Sequence, residues 1–250
     1  MHSPLEQFRI LSIFELIPGK YSIELTNSTI LLAFSFSFFF FILNSLNLSQ
    51  GEATLVPSPW HSLVLKLHNG VTAVVRDNVG AAHMQYYPFL LSLLLFVACA
   101  NLVGLVPYSF TATSHLVVTL HLALMVFIGA NIICLGIHGF HFLCLFLPSG
   151  TLFALSFLLV PIEIVSYFFK PISLGVRLFA NMMAGHTLLK VIGGFAWSML
   201  RGGGLLFFGH LVPLAVLFLL MGLELGVALI QSYVFLVLSS IYLRDSIVLH

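Results

Sequence analysis

Charged residues are scarce in this chain. Only 7% of its 250 residues are Asp, Glu, Lys or Arg, whereas 60% are hydrophobic and the mean hydropathy is +1.12. Soluble domains carry about 25% charged residues, so a chain with so few cannot cover a water-exposed surface. The composition therefore predicts a protein that lies in a lipid membrane.

The chain also lacks the features that would suit it to polyanions or nucleotides. Its net charge is +1, which provides neither a basic field for nucleic acid nor an acidic tail. The phosphate-binding pattern GxxxxGK[ST] does not occur in it. We therefore expect no nucleic-acid partner, no bound nucleotide and no cofactor.

Cysteine is rare as well. Cys99, Cys134 and Cys144 lie in apolar stretches, and they show no CxxC or Cys/His metal spacing. An odd number of isolated cysteines predicts neither a disulfide framework nor a zinc site. We expect them to be small packing residues.

The first twenty residues resemble no targeting segment. Glu6 and Glu15 interrupt weak apolar runs, which fits neither a secretory signal nor an Arg-rich, acid-poor transit peptide. We expect synthesis inside the compartment that the protein serves.

Long apolar runs are abundant. A spanning helix needs about 20 mostly apolar residues, because nothing in hydrocarbon satisfies an exposed backbone. Five stretches qualify, and no internal repeat is seen, so we predict an all-α integral membrane protein with a single domain over 1–250. The predicted spans are 27–48, 87–107, 114–136, 151–200 and 205–243.

The segment 59–82 differs from these spans. Leu63, Leu67 and Val71 recur at helical spacing, with Lys66 and Arg76 between and after them. This pattern predicts an amphipathic helix on the membrane surface. The short segment 138–150 is predicted to be an interfacial loop.

The last two spans are too long to stand upright. At about 1.5 Å rise per residue, the range 205–243 would make a helix of about 60 Å, twice the hydrocarbon thickness of about 30 Å. We therefore expect strong tilting or bending. The glycine-rich turn after Arg201 predicts that the two spans form an antiparallel hairpin.

Placing polar residues inside this hairpin costs free energy in a membrane, and the charge of Arg177 is the clearest indication of function. Its neighbours at helical contact spacing include Ser173, Ala180 and Asn181, and none is acidic. A guanidinium is permanently charged, so a carboxylate or a water cavity must come from elsewhere. For Lys170 and Lys190, snorkelling towards a head group stays open beside a functional role.

Register across the hairpin groups the polar residues. In antiparallel helices, residues at equal depth have position numbers with a nearly constant sum. This holds for His186 with Glu224, Arg177 with Gln231, and Glu163 with Asp245. His186 lies about 13.5 Å from Arg177 along the axis and Glu163 about 21 Å in the other direction. Because Glu163 and His186 fall on different helix faces, the arrangement predicts two offset half-channels separated by a positive charge.

Four segments carry a resemblance to one family. The stretch LGVRLFANMMAGH at 174–186 is similar to the signature of F-type ATP synthase subunit a, and 223–235 resembles the last helix of that family. The segment 101–108 resembles the end of its second span, and 3–8 its mitochondrial amino terminus. The segment 205–209 does not match.

The resemblance implies a function and partners. In that family the residue matching Arg177 faces a ring of small subunits, the c-ring, each with one carboxyl, and Gln231 and Asn181 lie near it. It implies an inlet for protons at His186 and Glu224 and an outlet at Glu163, with Asp245 a further outlet candidate. The expected partners are the c-ring, other stator subunits including the peripheral stalk, lipid, and a second copy in a synthase dimer. The chain would be no enzyme by itself and would lie in the mitochondrial inner membrane as a multi-pass protein.

Three other functions stay open. A haem-binding bundle would need paired histidines, but His115 and His121 do not share a helix face. A secondary transporter also uses intramembrane ionisable residues, although such proteins usually show an internal repeat. A metal could bind between His186 and Glu224, but it would require more ligands than the sequence places there.

Overall fold

The computed structural model describes residues 6, 8–17, 23–51, 59–106, 109–139, 153–204 and 208–247. Within these ranges the chain forms two short strands and six α-helices. The strands are β1 (Ser12–Ile17) and β2 (Ile23–Thr26). The helices are α1 (Asn27–Gly51), α2 (Pro59–Asn78), α3 (Tyr87–Gly104), α4 (Leu116–His138), α5 (Phe153–Arg201) and α6 (Leu211–Ile247).

The all-α membrane fold is confirmed. Among the described residues, four helices are long and apolar enough to cross a membrane: Ala81–Gly104, Leu116–His138, Phe157–Arg201 and Leu211–Ile247. The apolar part of α1 within the searched residues, Asn27–Ile42, is shorter, so its crossing stays a prediction. The chain is a multi-pass membrane protein.

A β-hairpin precedes α1, which the sequence did not predict. Strands β1 and β2 pair antiparallel, with two register irregularities that hide the alternation expected of a strand. The side chain of Asn27 ties this hairpin to α1. Its Nδ2 donates to the carbonyl of Arg9 at 3.1 Å, and its Oδ1 accepts from the backbone amides of Leu11 and Ser28. Asn27 thus satisfies the first turn of the helix and anchors the hairpin.

The chain divides into two compact units, each assembled from three segments. Unit 1 comprises Met1–Leu43, Leu95–His115 and Leu178–Ser232. Unit 2 comprises Asn44–Leu94, Leu116–Arg177 and Tyr233–His250.

The core of unit 2 explains the amphipathic pattern of α2. Val71 and Val75 of α2 are buried against residues of α3 and α6, and the same cluster includes Val79, Leu90, Leu236, Leu243 and Ile247. The charged side chains Lys66 and Arg76 are exposed. The helix therefore has the predicted apolar face, and part of that face packs on protein. It ends at Asn78, before the predicted residue 82, because Gly80 adopts a φ of 97° and a 3₁₀ turn follows.

Helix α4 contributes to the core of unit 2. Ile133, near the end of α4, packs against the cluster that contains Leu90 and the adjoining Leu91 and Leu94 near the start of α3. Gly175 of α5 lies against α4, and a Cβ added there would come within 2.9 Å of Leu120 Cα. Only glycine permits this approach of two helix backbones.

The two long helices α5 and α6 correspond to the predicted spans 151–200 and 205–243, and α6 begins at Leu211. Helix α5 contains Pro161 and Pro171 in its interior, and α6 continues to Ile247. After α5 the backbone turns at Gly203 and Gly204, with φ values of 65° and 58°. Left-handed backbone at both positions stops the helix and favours glycine. The predicted loop beyond Gly139, Cys144, and the first residues of both predicted long spans lie outside the described residues.

Candidate functional site

Two ionisable side chains meet in the interior of unit 1. Nδ1 of His186, on α5, lies 3.3 Å from Oε1 of Glu224, on α6, and the side chains are only 7% and 5% exposed. The register of the hairpin placed these residues at equal depth, and the structure brings them together. A buried imidazole beside a buried carboxyl can exchange a proton without leaving a separated charge in a dry interior.

The glycine that precedes His186 makes room for this pair. A Cβ added to Gly185 would lie 2.8 Å from Oε1 of Glu224 and 3.0 Å from its Cδ. Those distances are shorter than van der Waals contact, so a larger residue would displace the carboxyl. The absence of a side chain at residue 185 therefore helps to set the position of Glu224.

Other contacts enclose His186 on its far side. The hydroxyl of Thr111 lies 3.0 Å from Nε2, and the ring of Phe8 packs edge-on with ring centroids 6.3 Å apart. Thr111 is fully buried in the segment between α3 and α4. Both ring nitrogens of His186 therefore have polar neighbours.

A cavity of about 260 Å³ opens beside Glu224 in unit 1. Its polar lining comes from Asn181 and Glu224. The remaining lining residues are apolar or small: Ala184, Gly185, Leu188, Leu189, Leu220, Leu223 and Val227. A water molecule takes about 30 Å³ in the liquid, so several waters fit in this space next to the carboxyl.

A second polar pair of unit 1 joins the same two helices. Asn181 Nδ2 donates a hydrogen bond to Oε1 of Gln231 at 3.0 Å, and Gln231 is only 4% exposed. Among the described residues, Nε2 of Gln231 has no hydrogen-bond partner. Asn101 of α3 donates to the carbonyl of Ala228 on α6 at 3.2 Å. The side-chain amides of Asn101 and Asn181 thus hold α6 by hydrogen bonds, while Nε2 of Gln231 has no partner among the described residues.

Unit 2 contains a polar cluster around Asp245. Lys170 Nζ lies 3.2 Å from Oδ2 of Asp245 and 5.5 Å from the centre of the Tyr167 ring. The hydroxyl of Tyr242 donates to the carbonyl of Lys170, and the hydroxyl of Tyr167 donates to Asn131. Register had set Asp245 opposite Glu163, but the structure pairs Asp245 with Lys170. Opposite charges attract where two carboxylates would repel, so this pairing is the favourable one.

Arg177 and Glu163 both expose their side chains on α5. Within unit 2, no described side chain forms a hydrogen bond or an ion pair with either of them. Arg177 is near enough to the Tyr242 phenol to interact with it electrostatically. Gln231 belongs to unit 1, so its predicted pairing with Arg177 stays a prediction.

Sequence reasoning missed two participants. Thr111 lies between helices, where no periodicity indicates which way a side chain points, and only the nearby cluster of Ser and Thr hinted at a buried turn. Gly185 lies within the stretch 174–186, but the sequence gives no reason to single it out, because a glycine's importance depends on what its missing Cβ would meet. Among the described residues no group of three metal-ligating side chains occurs.

Comparison with known proteins identifies the family. The model of the family described as ATP synthase A chain matches residues 26–244, a range that includes α1 to α5 and nearly all of α6. The chain belongs to the ATP synthase subunit a family. This agrees with the resemblance carried by residues 174–186.

Similar proteins match the chain from end to end. ATP synthase subunit a of Pylaiella littoralis is 53% identical over 249 residues, which cover 100% of this chain and 99% of that protein. The subunit a of Chondrus crispus is 46% identical, covering 99% and 97%. That of the bacterium Paramagnetospirillum magneticum is 42% identical, covering 100% of both. Membership in this family makes the chain a membrane subunit of an ATP synthase.

Proposed function

We propose that this chain is the proton-conducting stator subunit of a rotary ATP synthase. It passes protons through two offset half-channels to and from the carboxyls of a c-ring, and the resulting rotation drives ATP synthesis. The observation that carries the proposal is the buried pair of His186 and Glu224 beside a cavity in unit 1. Titratable groups inside a membrane protein mark ion or proton pathways by default.

The inlet is the best supported part of the path. A proton that reaches the cavity can bind Glu224 or His186 and then pass to a ring carboxyl. The side chains lie within ion-pair distance, so either can stabilise the charge that forms on the other. Apart from Asn181 and Glu224 the cavity lining is apolar or glycine, so Glu224 is the ionisable side chain that lines it.

Arg177 serves as the separator of the half-channels. Its guanidinium cannot lose its proton under physiological conditions, so it cannot itself carry protons across. It is exposed and has no ion-pair partner among the described residues of unit 2. A free cation on an apolar helix suits a carboxylate supplied by another subunit, here that of the ring. Within unit 1, the hydrogen bond from Asn181 to Gln231 joins α5 to α6, and Nε2 of Gln231 has no hydrogen-bond partner among the described residues.

The outlet is assigned to Glu163 ahead of Asp245. Asp245 is ion-paired with Lys170, whereas Glu163 is exposed and forms no ion pair with the described residues of unit 2. The Asp245 carboxylate is held by the ammonium of Lys170, whereas the Glu163 carboxyl is exposed and available to water.

The setting of the complex follows from the same function. Each charge that crosses about 100 mV releases about 2.3 kcal/mol, so several protons are needed for one ATP. We propose the mitochondrial inner membrane as the location, with contacts to the c-ring, the peripheral stalk, other stator subunits and a second copy in a synthase dimer.

The test removes the separator. We expect Arg177→Ala to abolish proton-driven ATP synthesis by the assembled complex in vesicles, and Arg177→Lys to fail as well, because an ammonium can lose its proton when desolvated. Arg76→Ala is the matched control, since Arg76 is also an exposed arginine and lies on α2. Normal synthesis by an assembled Arg177→Ala complex would exclude the proposed role.

A further inference from the structure

Thr111 makes a contact that the proton path described above does not use. Its hydroxyl oxygen lies 3.0 Å from Nε2 of His186 and 3.4 Å from the carbonyl oxygen of Gly104. We propose that Thr111 is a positioning residue that holds the proton of His186 on Nε2, so that Nδ1 is the nitrogen that exchanges a proton with Glu224. This inference rests on the proposed function, because it takes His186 to be a proton carrier.

The tautomer of His186 follows from the hydrogen bonds that the Thr111 hydroxyl can make. The carbonyl of Gly104 can only accept, whereas a hydroxyl has one hydrogen to donate and lone pairs to accept with. When Thr111 donates to Gly104, its lone pair faces Nε2 and requires a hydrogen there. The tautomer of a neutral imidazole is set by the bond that its other nitrogen makes. Nδ1 then presents a lone pair to Glu224.

Proton exchange balances in this arrangement. Protonated Glu224 gives its proton to Nδ1, which leaves a carboxylate beside an imidazolium, and the reverse step restores the neutral pair. The Nε2–H bond to Thr111 persists through both states, so the ring need not turn. Neither Glu224 oxygen accepts a hydrogen bond from the described residues, so the carboxyl is free to give or take that proton. Within described unit 1, Glu224 is the ionisable side chain paired with His186.

The surroundings of Thr111 keep its hydroxyl in place. A Cβ added to Gly104 would overlap the γ-methyl of Thr111, so this methyl lies directly against the Gly104 backbone. The carbonyl of Thr111 accepts hydrogen bonds from the amide of Ser114 at 3.2 Å and from its hydroxyl at 2.6 Å. A threonine is already stiff at χ1, and these contacts leave the hydroxyl aimed at His186.

Substitutions at Thr111 separate positioning from packing. Thr111→Val keeps the shape and loses the hydroxyl, whereas Thr111→Ser keeps the hydroxyl and loses the methyl. We expect proton uptake by vesicles with the assembled complex to fall about tenfold for Val, the effect of losing one hydrogen bond to a charged group. Ser should retain at least half of the wild-type rate. A packing role predicts the opposite order, and that order would overturn the proposal.

A matched control and a second pair of variants complete the design. Thr113 is also buried, and its hydroxyl has no hydrogen-bond partner among the described residues, so Thr113→Val should conduct like wild type. If Thr111→Val prevents assembly, then Thr111→Ala and Thr111→Ser provide a comparison that differs only in the hydroxyl. Equal rates for those two would refute the inference.

The His186→Ala variant separates a failure of the proposed proton inlet from a failure of the role proposed for Thr111. If His186 carries protons, His186→Ala slows uptake, and adding Thr111→Val slows it no further, because Thr111 acts through His186. If His186→Ala leaves uptake unchanged, the proposed function of the inlet fails. If His186→Ala slows uptake while the two losses multiply, only the role of Thr111 fails.

Discussion

Substitution of Gly185 by alanine isolates the position of one carboxyl. The added Cβ would lie 2.8 Å from Oε1 of Glu224, 3.0 Å from its Cδ and 3.3 Å from its Cγ. Ordinary contact requires about 3.5 Å, so the carboxyl must retreat by roughly 0.6 Å. Because the obstructing atoms belong to the end of a flexible side chain, the helices themselves need not move.

The expected effect on conduction is larger than the effect on stability. Gly→Ala in a helix gains about 1 kcal/mol from propensity, which offsets part of an overpacking cost of about 1–3 kcal/mol. A displacement of about 1 Å in a reacting group can cost a factor of about 100, so we expect about tenfold slower proton uptake for a shift of this size. The complex should still assemble.

The assay compares Gly185→Ala with Gly194→Ala. Both glycines lie in α5, but a Cβ at residue 194 meets no atom within 4 Å, so that variant gains propensity without displacing anything. Proton uptake is measured in vesicles and normalised to the amount of assembled complex. Equal normalised rates for the two variants would refute the reasoning, because Glu224 would then tolerate a different position.

The remaining predictions concern the other charged groups and the helix directions. The losses of proton uptake caused by His186→Ala and Glu224→Gln should be less than additive in the double mutant. Exchanging the two residues should recover part of the proton uptake that His186→Glu alone removes. Additive losses without this recovery would exclude a shared site. Glu163→Gln should slow proton release more than the double variant Lys170→Met with Asp245→Asn, which removes both members of a partly exposed ion pair together. The reverse order would move the outlet to Asp245. In the assembled complex, α5 and α6 should be strongly tilted, and a structure with both within about 20° of the membrane normal would contradict that.

The pairing of His186 with Glu224 was predictable because little intervenes between them. Two consecutive helices that reverse direction near a glycine-rich segment have a nearly fixed register, so depth follows from residue number. Helix identity and approximate bounds were predictable for the same reason, since the long apolar runs leave few alternatives in a membrane.

Counting grouped Asp245 with Glu163 but did not indicate the ion pair that Asp245 forms. Its partner is Lys170, and Pro161 and Pro171 both lie within this part of α5. Proline removes a backbone hydrogen bond and kinks a helix, so a straight register cannot be carried past these positions. Counting residues also ignores charge, and here the attraction between the Lys170 ammonium and the Asp245 carboxylate determines which residues pair.

The contacts of Thr111 and the β-hairpin could not be obtained by counting at all. Thr111 lies in a segment without periodicity. Its role depends on the position of Gly104, seven residues earlier, and nothing in the sequence singles out that glycine within the segment 101–108. The irregular pairing of β1 with β2 masks the alternation that would have indicated strands. In both cases tertiary contacts determine the local structure.

Several buried polar atoms of unit 1 lack hydrogen-bond partners, which indicates a site for proton exchange rather than one selected for stability. Both oxygens of Glu224, Nε2 of Gln231 and Oδ1 of Asn101 are buried without a hydrogen-bond partner among the described residues. Each such atom costs about 1–3 kcal/mol when nothing meets it, so a site built only for stability would replace or satisfy them. Other atoms of Asn101 and Gln231 are hydrogen-bonded, to Ala228 and Asn181 respectively, and Oε1 of Glu224 lies 3.3 Å from His186 at ion-pair distance without a hydrogen bond. The helices are thus held by one set of polar atoms, while a second set is left to bind what arrives from outside, which for a proton path is water, a proton or a ring carboxyl.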